Sequence, residues 1–145
     1  MYNTVVNRIS RLIHFLRKAV LFLISFDNFI MEDSSPIYLQ ILLYIKRGII
    51  AGTVKDGDEL PSRRMLSALL GVNPNTVQKS YKMLEDEALI VSHSGAKSNV
   101  SLDEEKKKKI RQEVLHADAE TAVRTLKQMG VTKEEAFALI SEYWD

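Results

Sequence analysis

Between Leu60 and Leu84 the chain reads LPSRRMLSALLGVNPNTVQKSYKML, and this stretch carries two helix starts around one sharp stop. Pro61-Ser62 opens a short helix whose apolar residues are Met65, Leu66, Leu69 and Leu70, and Gly71 ends it, because glycine takes the left-handed conformation that closes a helix at little cost. Asn73 then offers a side-chain oxygen to the free N–H groups of a new helix. Pro74 fits the first turn, and Val72 is placed to pack on Val77 across the start. Val77, Tyr81, Leu84 and Ala88, spaced by four, three and four residues, make one apolar stripe. Two helices joined by a tight Gly-containing turn form a helix-turn-helix.

Upstream, Ser35-Pro36 reads as an N-cap followed by proline at the first helical position. Tyr38, Leu42, Ile45 and Ile49 recur at helical spacing, and Gly52 supplies the stop. Val54 to Leu60 contains a turn and ends in a possible short strand. Downstream, Leu89-Ile90-Val91 has strand character, Ser94-Gly95-Ala96-Lys97 is a turn, and Ser98 to Leu102 returns as a second strand. The expected fold is therefore mainly α with a small β wing: a winged helix-turn-helix domain over residues 34–102, followed by a short two-helix C-terminal region over 103–145. In that region Leu115, Ala119, Ala122, Leu126 and Met129 repeat at four, three, four and three, and Gly130 ends the helix. Thr132-Lys133-Glu134-Glu135 is a capping box, opening a last helix with Ala136, Phe137, Leu139, Ile140, Tyr143 and Trp144.

Residues 1–33 read as an N-terminal extension. Ala19 to Phe26 is apolar apart from Ser25, but Arg17-Lys18 keeps the run below the roughly 20 apolar residues a spanning helix needs. A small-residue cleavage pattern is missing after it. Ile9, Leu12, Ile13, Leu16, Val20, Leu23 and Ile24 lie at helical spacing opposite Arg8, Arg11 and Lys18, as in a basic amphipathic helix at a membrane or partner surface. The preferred expectation is a leader upstream of a start at Met31, whose deletion (residues 2 to 30) leaves folding and DNA binding intact; a helix packed on the domain is the third choice. A membrane partner is not expected.

Composition narrows the chemistry. At 145 residues and 46% hydrophobic content the chain can build a globular core, and its net charge of +1 excludes a uniformly basic coat. A nucleic-acid site must then be local. The charged residues from Leu60 to Leu84 are Arg63, Arg64, Lys79 and Lys82, all positive, and Glu85-Asp86-Glu87 follow at once. Cysteine is absent, which removes disulfides, thiolate metal sites and cysteine nucleophiles and fits a reducing, cytoplasmic setting. His14, His93 and His116 are far apart in sequence, so no metal site is expected; no catalytic residues and no cofactor are expected either.

The second helix of such a pair enters the major groove. It must bury one stripe and present polar or basic groups on the other, as Asn75, Gln78, Lys79 and Lys82 do at i, i+3, i+4 and i+7. Asn and Gln pair with adenine edges, Lys with guanine or phosphate. Asn73 and Thr76 lie near the free N–H groups of the helix start, a favourable place for a phosphate. Such a stripe is also ordinary for a solvated helix, Arg63 or Arg64 could simply pair with surface acids, and the Lys106 to Lys109 run suits a solvated face paired with Asp103, Glu104 and Glu105.

The stretch PIYLQILLYIKRGIIAGTVKDGDELPSRRMLSALLGVNPNTVQKSYKMLEDEALI resembles the DNA-binding domain of the GntR family of bacterial regulators, in particular its short YtrA-type branch. The resemblance rests on Gly52, Gly57-Asp58-Glu59-Leu60-Pro61-Ser62-Arg63-Arg64, Leu66 to Leu69, and Gly71-Val72-Asn73-Pro74-Asn75-Thr76-Val77. It implies that Arg64 grips a phosphate or base and that Asn73, Asn75, Thr76 and Gln78 work at the groove. Of the family's wing pattern, a basic residue, glycine, a second basic residue, glycine, Thr and an aromatic, only Gly95 keeps its place; Ser94, Gly95 and Lys97 are the wing candidates. The resemblance also implies that the two C-terminal helices dimerise, through Leu115, Ala119, Ala122, Leu126, Met129, Phe137, Ile140 and Trp144. A seam and a helix folded on its own domain share this pattern. The expected function is a dimeric repressor of its own operon, with transporter genes as neighbours, bound to a pseudo-palindromic double-stranded operator. No motif identifies a small-molecule effector. The alternative is a winged-helix protein-interaction module, which calls for an apolar or acidic recognition stripe where this one is polar and basic.

Overall fold

A computed structural model of the chain describes residues 23–145 except Ala96. Of the amphipathic helix expected from Ile9 to Ile24, residues 9–22 lie outside the described residues, and its last two, Leu23 and Ile24, are not helical, because they run beside Glu59 instead. The elements are α1 (Ile37–Ala51), β1 (Glu59–Leu60), α2 (Arg63–Leu70), α3 (Pro74–Asp86), β2 (Ile90–Ser92), β3 (Ser98–Val100), α4 (Glu104–Gln128) and α5 (Lys133–Glu142). The strands form one antiparallel sheet in the order β1-β3-β2, with Leu60 opposite Ser98 and Ile90 opposite Val100. The expected ribbon thus gains β1 as a third strand.

Helix α1 starts one residue later than the sequence suggests. Pro36 is its N-cap, in an extended conformation, and its carbonyl accepts from the N–H groups of Leu39 and Gln40. Ser35 contributes through its backbone: the Gln40 amide donates to the carbonyls of Ser35 and Glu32, each at 2.7 Å. Ile41, Leu42, Ile45 and Ile49 are buried, so the stripe is centred slightly to one side of the expected one, and Tyr38 is only half-buried.

In α2 the Ser62 hydroxyl accepts from the Met65 N–H, and Leu66 and Ser67 are the buried residues. Met65 and Leu69, expected on the apolar face, are exposed. Ser67 goes inside because its hydroxyl donates to the Val72 carbonyl at 2.6 Å, which fixes the turn into α3. Gly71 has φ 64° and closes α2 as expected.

In α3 the buried residues are Val77, Ser80, Tyr81 and Leu84. Ala88 is not part of the stripe: the helix ends at Asp86, and Ala88 is exposed with φ 56°. That turn brings the Leu89 N–H to the Leu84 carbonyl and sends Leu89 and Ile90 into the core. Lys106, expected on a solvated face, instead donates to the carbonyls of Ala88 and Ser101 at 2.7 and 3.2 Å. Lys107 does pair with Glu104, at 3.0 Å.

Residues 23–30 pack on this domain. The Ile24 N–H donates to the Glu59 carbonyl at 2.9 Å, and Leu23 bridges Glu59 in parallel beside β1. Ile24 and Phe26 are 7% and 4% exposed, which places them in the core although they precede the expected boundary at residue 34. Phe26 lies tilted over the Tyr44 ring and Phe29 meets it edge-on, with ring centroids 4.9 and 5.3 Å away, and the Tyr44 hydroxyl donates to the Ser25 carbonyl.

The chain divides into two compact units inside α4, one ending at Lys107 and the other spanning Lys108–Asp145. In the second unit Ile110 and Val114 are buried. Thr132 caps α5 by accepting from the Glu135 N–H, as the capping sequence requires. A groove of about 280 Å³ lined by Val123, Leu126, Val131, Ala136, Phe137 and Ile140 opens on this unit. None of the helices among the described residues is long and apolar enough to cross a membrane.

Candidate nucleic-acid interface

The face of α3 turned away from the core carries the expected stripe. Asn75, Gln78, Lys79 and Lys82 are exposed and Thr76 is half-buried. Asn73 is exposed just ahead of them and its side-chain oxygen accepts from the Asn75 N–H at 2.8 Å, so this cap is engaged in holding the helix start. Tyr81 anchors the opposite side. Its hydroxyl donates to the Pro61 carbonyl at 2.7 Å, and burial pushes its phenol well above the usual tyrosine range despite the opposing effect of Arg63. The bond ties the middle of α3 to Pro61, just ahead of α2.

The basic residues divide by environment. Arg63 points into the domain: its guanidinium donates to Glu85 at 3.2 Å and to the Ser92 hydroxyl at 3.4 Å, and it lies 5.4 Å from the Tyr81 ring centre. Ser92 also donates to Glu85 and meets Ser98 at 3.0 Å. One network therefore joins α2, the last turn of α3, β2 and β3. Arg64, the next residue, is exposed. Lys82 pairs with Asp86 at 2.6 Å, and this hydrogen bond raises its pKa, so Lys82 keeps its charge. Among the described residues no acid pairs with Lys79; its Nζ lies 3.7 Å from the Tyr38 ring centre.

The wing candidates sit at the tip between β2 and β3. Ser94, Gly95 and Lys97 are exposed, Gly95 has φ 89°, and the His93 N–H donates to the Lys97 carbonyl. Sequence spacing brings Asn73, Asn75, Gln78, Lys79 and Lys82 to one surface, with Arg64 exposed on the neighbouring helix. Arg63 is held elsewhere, and a signal for this was available: it stands three and four residues before the buried pair Leu66 and Ser67, on their face of the helix. Two ion-pair partners had no such signal. Lys46 of α1 is buried against Glu87 at 2.6 Å, a contact between residues far apart in the chain.

Comparison with known proteins matches residues 37–100 to the family of bacterial regulatory proteins called gntR. The chain is 34% identical over 108 residues to the uncharacterized HTH-type transcriptional regulator YhcF of Bacillus subtilis (strain 168), covering 72% of this chain and 86% of that protein. It is 44% identical over 70 residues to the HTH-type transcriptional repressor YtrA of the same organism, 48% of this chain and 54% of that one. A GntR family transcriptional regulator from Listeria monocytogenes superposes with a TM-score of 0.66 at 31% identity, covering 77% of this chain and 98% of that one. These relatives are transcriptional regulators, not enzymes.

Proposed function

The chain belongs to the GntR family of bacterial regulatory proteins, a transcription regulator with a DNA-binding winged helix-turn-helix, and on that premise we propose that it acts as a dimeric repressor of its own operon. In the cytoplasm it occupies a pseudo-palindromic operator with α3 of each subunit in the major groove. The observation that carries this reading is the exposed stripe Asn75, Gln78, Lys79 and Lys82 on the helix that follows the tight turn. The stripe carries adenine-pairing amides next to cations, the mixture that combines base readout with phosphate binding. The repressor role draws support from the 44% identity to the repressor YtrA.

In this reading Arg64, Lys79 and Lys82 meet phosphates, Asn75 and Gln78 read bases, and Asn73 and Thr76 frame the helix start. Ser94, Gly95 and Lys97 reach the duplex from the wing. Arg63 contributes by holding the wing root to α3, since its guanidinium is engaged with Glu85. The second unit supplies the dimer seam. Leu115, Met129, Phe137, Ile140 and Trp144 are all exposed large apolar side chains there, with Ala119 and Ala122 also exposed and Leu126 half-buried in the groove. Exposed apolar side chains this dense favour association.

Binding to a duplex carrying its own promoter, measured at several salt concentrations, tests the reading. Phosphate contacts release counterions, so affinity must fall steeply with salt, and a flat dependence would overturn it. Arg64→Ala is expected to weaken binding to every duplex alike and to lower the log–log salt slope by about 1. Loss at a single base position would make Arg64 a base reader instead. Gln78→Ala is expected to cost about 1–3 kcal/mol on the native site and to relax preference at one base pair, with the melting temperature unchanged. Equal weakening on all sequences would remove Gln78 from the readers.

A further inference from the structure

The two lysines of the recognition stripe are held in different ways. Lys82 is ion-paired with Asp86, its neighbour one turn on. Lys79 lies over the face of Tyr38, with Nζ 3.7 Å from the ring centre, well inside the roughly 6 Å within which a cation is attracted by an aromatic face. Tyr38 belongs to the first turn of α1 and is half-buried, while Lys79 is exposed, and α1 packs along α3. A ring orders a lysine without cancelling its charge, and the N–H bonds directed away from the ring stay free to donate. Among the described residues no carboxylate pairs with Lys79 or with Arg64, whereas Arg63 and Lys82 each have one.

We propose that Tyr38 is a positioning residue for DNA binding, whose ring holds the uncompensated Lys79 ammonium at the α1 edge of the recognition face to receive an operator phosphate. The proposal rests on the DNA-binding reading above and adds to it a role for a residue outside the helix-turn-helix. An exposed lysine is a long, flexible chain, and fixing it at the moment of binding costs affinity. A ring that fixes it beforehand reduces that cost.

Anisotropy titrations of the full chain against its promoter duplex, over a series of salt concentrations, decide the matter. Lys79→Ala is expected to lower the salt slope by about 0.9, the share of one phosphate. Tyr38→Leu should bind about two- to five-fold more weakly, as loss of an exposed cation–π contact implies. Tyr38→Phe, which keeps the ring, should bind like the unaltered protein. In the Lys79→Ala background, Tyr38→Leu should change nothing further, because the group it positions is gone. A general structural role for Tyr38 would persist in that background, so additive losses would overturn the proposal while leaving DNA binding intact. Tyr38→Phe as weak as Tyr38→Leu would overturn it as well, in favour of a direct contact by the hydroxyl. Absence of salt-dependent binding by the unaltered protein would remove the functional reading itself, and this role with it.

Discussion

A chain shortened to begin at Met31 is expected to be less stable than the full chain by about 4 kcal/mol or more, a large part of the 5–15 kcal/mol that holds a domain of this kind together. The reason lies in Ile24 and Phe26, both buried in the domain core. Removing a buried phenylalanine side chain alone costs about 3–5 kcal/mol, from lost transfer energy and from the cavity left behind. The truncation also takes away the ring partners of Tyr44, the acceptor of its hydroxyl and the N–H that pairs with the Glu59 carbonyl. Urea unfolding of the two chains, followed by circular dichroism, measures the difference. Phe26→Ala in the full chain separates packing from any effect of chain length. Identical midpoints for all three proteins would show that residues 24–29 contribute nothing to the fold and would restore the leader expected from sequence.

The second large effect concerns assembly. Leu126→Asp is expected to turn a dimer into a monomer and to lower operator affinity on the order of 10²-fold or more, because two half-sites are then no longer bound by one molecule. Leu126 lines the groove between α4 and α5. A charge there also strains its own helix pair, so Phe137→Asp is the companion variant: Phe137 is 59% exposed, and the change should leave the subunit folded. Sedimentation at micromolar concentration without DNA reads the result. A monomeric unaltered protein would sink the constitutive dimer and point to subunits that meet only on the operator. A dimer that survives both substitutions would place the seam elsewhere.

The parts of this molecule that were legible from sequence are those set by local chemistry. Gly71, Asn73 and Pro74 dictate a stop and a start within four residues, and the period of Val77, Tyr81 and Leu84 then fixes which side of α3 faces out. The parts that were not legible depend on partners distant in the chain. Leu23 and Ile24 continue a helical spacing in the sequence, yet their place is decided by the free edge of β1 at Glu59, more than 30 residues away. An apolar run seen alone reads as a leader. Arg63 and Arg64 look equivalent in a list of basic residues, yet Glu85 and Ser92 take one of them inward. Lys106 looked like part of a solvated run until the left-handed turn at Ala88 gave it a carbonyl to cap.

The bond network at the root of the ribbon has a mechanical consequence. Arg63, Glu85, Ser92 and Ser98 are joined within hydrogen-bonding distance across two helices and two strands. The ribbon is thereby braced like a bracket to the shaft of α3, and turning the shaft swings the bracket with it. Under the proposed DNA binding, recognition helix and ribbon would meet a duplex as one tool with two working edges, whose spacing was set when the chain folded.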